Sequence, residues 1–194
     1  MRRVLVIDDH EPSRMHVTKI LRECGYEIAG EGSSGKLAEG LARTAAPDVM
    51  LMAVGLSDLD GIDAARAIVR SNPLPIILLT SHFDAATIDR AKQAGVMAYL
   101  VKPLRAEELS PTIELAISRF REFSSLQEEN STLKENLAGR KLIERAKGLL
   151  MEQRNLSEEQ AYSLIKKASM NMRKPMADVA QAILVSAEIT EGKK

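Results

Sequence analysis

Basic side chains are concentrated in the last third of the chain, where they could neutralise the phosphates of a nucleic acid. Residues 137–194 carry 11 Lys and Arg against 7 Asp and Glu, whereas the preceding 136 residues carry 16 against 20. The net charge of zero is therefore the sum of an acidic and a basic part, and the basic part indicates a polyanionic partner. A solvated helix surface is the alternative explanation for each cation, and it holds for several of them. The candidate contacts are Arg140, Lys141, Arg145, Lys147, Lys166, Lys167, Arg173 and Lys174.

The acidic part holds a second set of reactive side chains, each placed directly after a short apolar run. Asp8 and Asp9 are adjacent carboxylates, Thr80 carries a hydroxyl group, and Lys102 carries an amine. If the runs form one parallel sheet, its ligand site lies beyond the carboxyl ends of the strands. The chemistry of this part is therefore to be sought among these four residues.

The elements that would position these side chains alternate along roughly the first 105 residues. The predicted strands are 4–7, 28–30, 49–52, 76–79 and 98–101. The predicted helices between them are 12–24, 34–45, 61–71 and 84–94. This alternation predicts an α/β fold in which helices cover both faces of a parallel sheet.

Four motifs make this first domain similar to the receiver domain of two-component response regulators. They are Val6-Ile7-Asp8-Asp9, Leu56-Ser57-Asp58-Leu59-Asp60-Gly61, Leu79-Thr80-Ser81 and Tyr99-Leu100-Val101-Lys102-Pro103. The resemblance implies a five-stranded, flavodoxin-like sheet. It places Thr80 and Lys102 in contact with a phosphoryl group and makes Thr80 and Tyr99 the switch residues. A plain packing role explains Tyr99 equally well.

The same resemblance assigns Asp8, Asp9 and the backbone of Gly55 to Mg²⁺, which prefers few carboxylates together with water and phosphate. The position that matches the phospho-accepting aspartate, however, is Ala53. A methyl group cannot accept a phosphoryl group. Because Ala53 replaces a carboxylate, the site also lacks one of the three anionic metal ligands of the receiver family. We therefore expect no phosphorylation at the usual site and weak Mg²⁺ binding at most.

Two explanations of Ala53 remain open. Departures at Ala53, Gly55 and Ser57, three within five residues, favour natural loss of the site. Retention of the other site residues favours a recent or engineered change from Asp to Ala. Asp58 and Asp60 are nearby carboxylates, but the loop should place them past the strand end, which makes each a poor substitute acceptor.

A long helical pattern follows from residue 107 and contains no glycine until Gly139. Apolar positions recur in it every seven residues over about three heptads, which is typical of a coiled coil. Asn130 occupies one a position, where Asn often fixes the register of a parallel dimer. We expect a homodimer, and the alternative is a helix that docks on its own domain. The predicted dimer seam is Phe123, Leu126, Asn130, Leu133 and Leu137.

The segment after Gly139 resembles the ANTAR domain of transcription antiterminators of the AmiR/NasR type. The motifs are Arg140-Lys141-Leu142-Ile143-Glu144-Arg145-Ala146-Lys147-Gly148-Leu149-Leu150-Met151, Ser157-Glu158-Glu159-Gln160-Ala161-Tyr162, Ala168-Ser169-Met170-Asn171-Met172-Arg173-Lys174 and Val179-Ala180. The resemblance implies binding to paired RNA hairpins in nascent transcripts, so that a terminator does not form. We predict three short helices, at 140–153, 157–170 and 175–186. Within them, Gly148 should allow close approach by another helix, with close approach by RNA as the alternative. Tyr162 should lie in the core, with a stacking platform for bases as the alternative.

The resulting prediction is a signalling response regulator with three parts. They are a receiver at 1–120, a coiled-coil linker at 121–138 and an ANTAR domain at 139–190.

The sequence shows no nucleophile–base pair and no glycine-rich phosphate loop, so an enzyme is not expected. No apolar run approaches the roughly 20 residues of a membrane span, and the lone Cys24 suits the cytoplasm. A sensor kinase or another regulatory protein is the expected second partner. The alternative is a DNA-binding or protein-docking regulator whose receiver works without phosphorylation.

Overall fold

The structure is a computed structural model that describes residues 1–81 and 84–191, with residues 188–191 described by their backbone alone. Its strands are β1 (Arg3–Ile7), β2 (Glu27–Gly32), β3 (Val49–Ala53), β4 (Ile76–Thr80) and β5 (Ala98–Val101). Its helices are α1 (Glu11–Glu23), α2 (Gly35–Ala45), α3 (Gly61–Ser71), α4 (Ala85–Ala94), α5 (Ala106–Arg154), α6 (Glu158–Met172) and α7 (Met176–Glu191). The chain divides into a first unit, Met1–Ser124, and a second unit, Ser125–Lys194. This boundary falls inside the segment predicted as a linker.

The first unit is built on one parallel sheet with the strand order β2-β1-β3-β4-β5. Successive side chains of a strand point to opposite faces, and both faces are covered here. One face packs on α2, α3 and α4, and the other packs on α1 and the first turns of α5. Burial on both sides explains why β1, β3 and β4 are nearly continuous apolar runs. The predicted α/β fold is confirmed, and the polar residues that follow the strands lie at one edge of the sheet.

The helix α5 is longer than predicted, because it continues through Gly139 as far as Arg154. The prediction that a new helix begins after Gly139 is therefore wrong. A Cβ atom built at Gly139 would lie 3.3 Å from the Cβ of Ala177, near the start of α7. The glycine thus permits a close approach between two helices of the second unit and does not end α5.

The second unit buries a small apolar core between the last turns of α5 and the helices α6 and α7, which confirms the predicted three-helix bundle. A capping box formed by Ser157 and Gln160 begins α6, as the sequence indicates. Tyr162 is 45% exposed, so its predicted place in the core is wrong. The buried core residues are Ala146, Leu150, Ala161, Ile165, Val179, Ala180 and Leu184.

Among the helices of the described residues, none combines the length and the hydropathy needed to cross a membrane.

Candidate functional site

A cleft of 520 Å³ lies at the carboxyl ends of β1, β3, β4 and β5. The structure brings the predicted first-unit residues together in it, apart from Tyr99. Tyr99 lies on β5, is 38% exposed and lines a smaller neighbouring cavity together with Thr80. The predicted residues that line the cleft are Asp8, Asp9, Ala53, Gly55, Thr80 and Lys102.

Asp8 is the most buried polar residue of the cleft, with 1% of its surface exposed. Its Oδ2 atom accepts hydrogen bonds from Lys102 Nζ at 2.5 Å and from Ser13 Oγ at 2.7 Å. Its Oδ1 atom accepts the backbone N–H of His10 at 3.1 Å. A buried carboxylate requires this kind of pairing, because an isolated charge is poorly solvated there. Ser13, which lies on α1, and His10, the N-cap of α1, were not predicted as site residues. Their role as donors to Asp8 follows only from these positions in the structure.

The residues of the cleft form a reduced set of ligands for Mg²⁺. Both oxygens of Asp8 already accept protein donors, and Oδ2 of Asp9 accepts the backbone N–H of Ser57 at 2.9 Å. Ala53 offers no oxygen from its side chain. Over residues 1–81 and 84–191 there is no group of three or more His, Cys, Asp or Glu placed to hold a metal ion. The predicted ligands Asp8, Asp9 and Gly55 therefore lie at the expected place without completing a magnesium site.

Neither of the two neighbouring carboxylates compensates for Ala53. Asp58 accepts hydrogen bonds from Ser34 Oγ at 2.6 Å and from the backbone N–H groups of Gly35 and Lys36 at 2.9 and 3.3 Å. The hydrogen bond from Ser34, followed by that from Gly35, lowers the pKa of Asp58 from 3.8 to about 2. Its carboxylate thus stabilises the N-terminus of α2.

Asp60 has a comparable structural role at the next helix. It is the N-cap of α3, where its Oδ1 accepts the backbone N–H of Ile62 at 2.9 Å. The same oxygen lies 2.9 Å from Arg90 on α4. Both carboxylates are therefore engaged outside the cleft, and the structure gives no support for a substitute acceptor.

The cations of the second unit form the other candidate site. Lys141 and Arg145 lie one turn apart on α5 and therefore share a face. Lys166 and Lys167 lie on α6, and Arg173 and Lys174 follow at and after its C-cap. The predicted contacts with exposed side chains are Arg140, Lys141, Arg145, Lys166, Lys167, Arg173 and Lys174.

Lys147 differs from the other predicted contacts, because it is 7% exposed. Its Nζ atom lies 2.9 Å from both carboxylate oxygens of Glu144 and 2.7 Å from Oε1 of Glu158. Hydrogen bonds to Glu158 and then Glu144 raise the pKa of Lys147, and the bond from Lys147 lowers the pKa of Glu158. The charge of Lys147 is already paired with two glutamates of the same unit. The prediction that Lys147 contacts RNA is therefore not supported by the structure.

Gly148 lies next to Lys147 but serves no packing contact. A Cβ atom built at Gly148 would meet no heavy atom within 4 Å among the described residues. Glycine in a helix interior is less favourable than alanine by about 1 kcal/mol. Packing within the described part of the single chain therefore does not explain this glycine.

The side chains of the predicted dimer seam are exposed in the single chain. The exposed fractions are 53% for Phe123, 57% for Leu126, 60% for Leu133 and 56% for Leu137, and Asn130 is exposed as well. A row of exposed apolar side chains on one helix is unusual in a monomer. The row remains available to a second helix.

Comparison with known proteins identifies both units. Residues 4–114 match the response regulator receiver domain and residues 131–184 match the ANTAR domain. The transcriptional regulatory protein PdtaR of Mycobacterium tuberculosis is 45% identical over 183 residues, which covers 94% of this chain and 89% of PdtaR. The response regulator protein VraR of Staphylococcus aureus is 34% identical over 113 residues, covering 57% of this chain and 54% of VraR. The signal receiver domain of a modulated diguanylate cyclase from Desulfovibrio desulfuricans superposes with a TM-score of 0.59 at 32% identity, covering 62% of this chain and 97% of that domain.

Proposed function

Because the chain belongs to the response regulators that join a receiver domain to an ANTAR domain, we propose that it binds paired hairpins in nascent mRNA and thereby promotes transcription antitermination. The family is regulatory and not enzymatic. ANTAR domains bind RNA and receiver domains interact with kinases, so a nucleic acid and a signalling protein are the two expected partners. We place the protein in the cytoplasm, where nascent transcripts are made.

The observation that carries the proposal is the exposure of seven cations within one small helical unit. Exposed lysine and arginine side chains can neutralise phosphates and release counterions, which makes binding strongly dependent on salt. Arginine side chains can also stack on or hydrogen-bond to the unpaired bases of hairpin loops.

We propose that the receiver works without phosphorylation. The acceptor position is Ala53, and the two neighbouring carboxylates, Asp58 and Asp60, are engaged at helix N-termini. Output then depends on contacts with a regulatory protein or on the association of two chains. We propose that the chains associate as a parallel homodimer through the seam from Phe123 to Leu137. Such a dimer would present two cationic units to two adjacent hairpins.

The test is a binding measurement with the full-length chain and three probes. They are a library of two-hairpin RNAs with randomised loops, the same hairpins singly, and duplex DNA of equal length. We expect selection of a two-hairpin RNA, with an affinity that falls steeply as salt increases. Equal or tighter binding to duplex DNA would identify a DNA-binding regulator, and no binding to any probe would identify a protein-docking one.

Sequencing of the RNA that co-purifies with the protein from cells would then identify the transcript. Recovery of leader segments with paired hairpins is the expected result.

A further inference from the structure

Helix α6 carries an aromatic side chain that the fold of the single chain leaves at the surface. Tyr162 is 45% exposed, whereas its neighbours Ala161 and Ile165 are fully buried in the core of the second unit. Met170, eight residues after Tyr162, is 69% exposed, and Lys166 between them is exposed as well. Residues four apart are neighbours on a helix surface. The outer side of α6 therefore offers an aromatic ring, a cation and a thioether in a row.

The charges along this side of α6 favour an anionic partner. Residues 160–177 contain four cations and no carboxylate. Among the described side chains, neither Lys166 nor Arg173 forms an ion pair. The carboxylates that border the stretch are Glu159 and Asp178, and each lies in the first turn of its helix, where a negative charge stabilises the N-terminus. The positive charge from Lys166 to the end of α6 is thus left uncompensated beside the exposed ring.

We propose that this side of α6 receives the unpaired bases of an RNA hairpin loop, with one base stacked on the ring of Tyr162 and its flanking phosphates contacted by Lys166 and Arg173. Hairpin loops expose unstacked bases, and aromatic side chains stack on them. Every base has a flat face, so this contact adds affinity without reading the sequence. The inference rests on the proposed function and names the part of the RNA that α6 contacts.

Other occupants satisfy only part of this surface. A nucleic-acid duplex offers phosphates to the cations, but its bases are stacked on one another and leave no face for Tyr162. In a symmetric dimer the same patch of both subunits meets across the axis, so Lys166 and Arg173 would face like charges, which repel. A loop supplies both the phosphates and the open base.

The main experiment compares Tyr162→Leu with the conservative Tyr162→Phe in the full-length chain, at a temperature at which melting curves show both variants folded. Affinity is measured for the two-hairpin RNA selected from the randomised library. It is also measured for the same RNA with one loop nucleotide at a time made abasic, which removes a base and keeps every phosphate.

We expect Tyr162→Phe to bind as the wild type does and Tyr162→Leu to bind about tenfold more weakly. The slope of log affinity against log salt should stay unchanged in both, because the ring carries no charge. One abasic position should weaken binding of the wild type and cost Tyr162→Leu nothing further. Such non-additivity would identify the stacked base.

The backbone of Arg173 allows a second, independent test. Arg173 is the C-cap of α6 in the left-handed region, with a φ of 53°, where glycine is more favourable than any residue with a Cβ. Arg173→Gly should therefore preserve the melting temperature while it weakens RNA binding and lowers the salt slope by about 0.7. Ala46→Gly is the matched control, because Ala46 is the C-cap of α2 in the first unit with a φ of 43°. It should bind RNA as the wild type does.

Full RNA affinity in Tyr162→Leu or in Arg173→Gly would overturn the inference and leave the proposed function intact. Equal losses in Tyr162→Leu and Tyr162→Phe, or a loss in Tyr162→Leu that no abasic position removes, would overturn it as well. A change in oligomeric mass without a change in RNA affinity would assign the surface to a protein contact instead. Failure of the wild type to bind RNA would reject the proposed function and, with it, this contact.

Discussion

The Nζ atom of Lys102 lies 2.5 Å from Oδ2 of Asp8, which joins the carboxyl ends of β5 and β1 by an ion pair. The carboxylate is buried and the side chain of Lys102 is 23% exposed, so the pair is only partly screened by solvent. With Ala53 between them at the end of β3, no carboxylate at that position competes for the ammonium group. The charge of Asp8 is thereby balanced by a cation of the protein itself.

The first prediction is that Ala53→Asp makes the receiver phosphorylatable, whereas the wild type stays unmodified. The substitution would place a carboxylate in the cleft that Asp8, Asp9, Thr80 and Lys102 already line. It would supply both the missing nucleophile and the missing anionic metal ligand. After incubation with acetyl phosphate and Mg²⁺, intact mass spectrometry should detect one added phosphoryl group, sensitive to hydroxylamine, in the variant alone.

Ala53→Asn is the matched control, since its side chain has the size of aspartate but cannot form an acyl phosphate. A stoichiometric phosphoryl adduct on the wild-type chain or on Ala53→Asn would show that another residue accepts the group. In that case the proposal of a phosphorylation-independent receiver would be wrong.

The second prediction concerns Asp58 and acid stability. Its pKa in the folded chain is lowered to about 2 from 3.8, so between these values the unfolded chain binds a proton that the folded chain does not. The stabilisation by Asp58 is therefore fully present above about pH 4 and is lost as the pH falls toward about pH 2. Asp58→Asn should lower the urea midpoint near neutral pH, and the difference from wild type should shrink below pH 4.

Asp89→Asn provides the comparison, because Asp89 is an exposed residue of α4 that forms a long ion pair, of 3.6 Å, with the equally exposed Lys92. This variant should unfold at the wild-type urea midpoint near neutral pH. A difference between wild type and Asp58→Asn that persists unchanged into strong acid would contradict the assigned role of the Asp58 carboxylate.

The sheet and its cleft could be predicted because they depend on short-range patterns. Apolar runs of strand length alternate with helical spacing, and parallel strands must then end at a common edge. Asp8, Thr80 and Lys102 follow three of those strands directly, so their meeting required no knowledge of side-chain contacts. The same reasoning placed Ala53 among them.

The errors in the second unit arise from contacts between residues distant in sequence. The burial of Lys147 depends on Glu158, 11 residues away and on another helix, and a basic residue on an amphipathic helix gives no sign of such a partner. The close approach of Ala177 to Gly139 is likewise a contact between two helices, and the sequence around Gly139 gives no sign of it. The open space beside Gly148 could likewise be recognised only from the packed unit.

The third prediction is that the exposed seam of α5 holds two chains together. Replacing both Leu126 and Leu133, which are 57% and 60% exposed, by Gln should convert the dimer to a monomer. Apolar a and d side chains supply most of the stability of a coiled coil, and Gln removes that contribution while preserving helix propensity. Light scattering of the purified chain measures the change in mass.

Leu115→Gln is the control for this pair, since Leu115 is 51% exposed on the same helix but lies outside the seven-residue pattern. It should leave the mass of the dimer unchanged. A wild-type chain that is monomeric at the concentrations of the binding experiment would reject the dimer, whatever the two variants do.

The last prediction separates two neighbouring cations of α5 that the sequence alone could not distinguish. Arg145 is exposed, so Arg145→Met should weaken binding of the two-hairpin RNA and reduce the slope of log affinity against log salt by about 0.7–0.9. Lys147 is paired with Glu144 and Glu158 inside the unit. Lys147→Met keeps the buried stem but leaves both carboxylates without their cation, so it should lower the melting temperature and leave the salt slope unchanged. A salt slope that falls equally in both variants would show that Lys147 leaves its glutamates and contacts RNA.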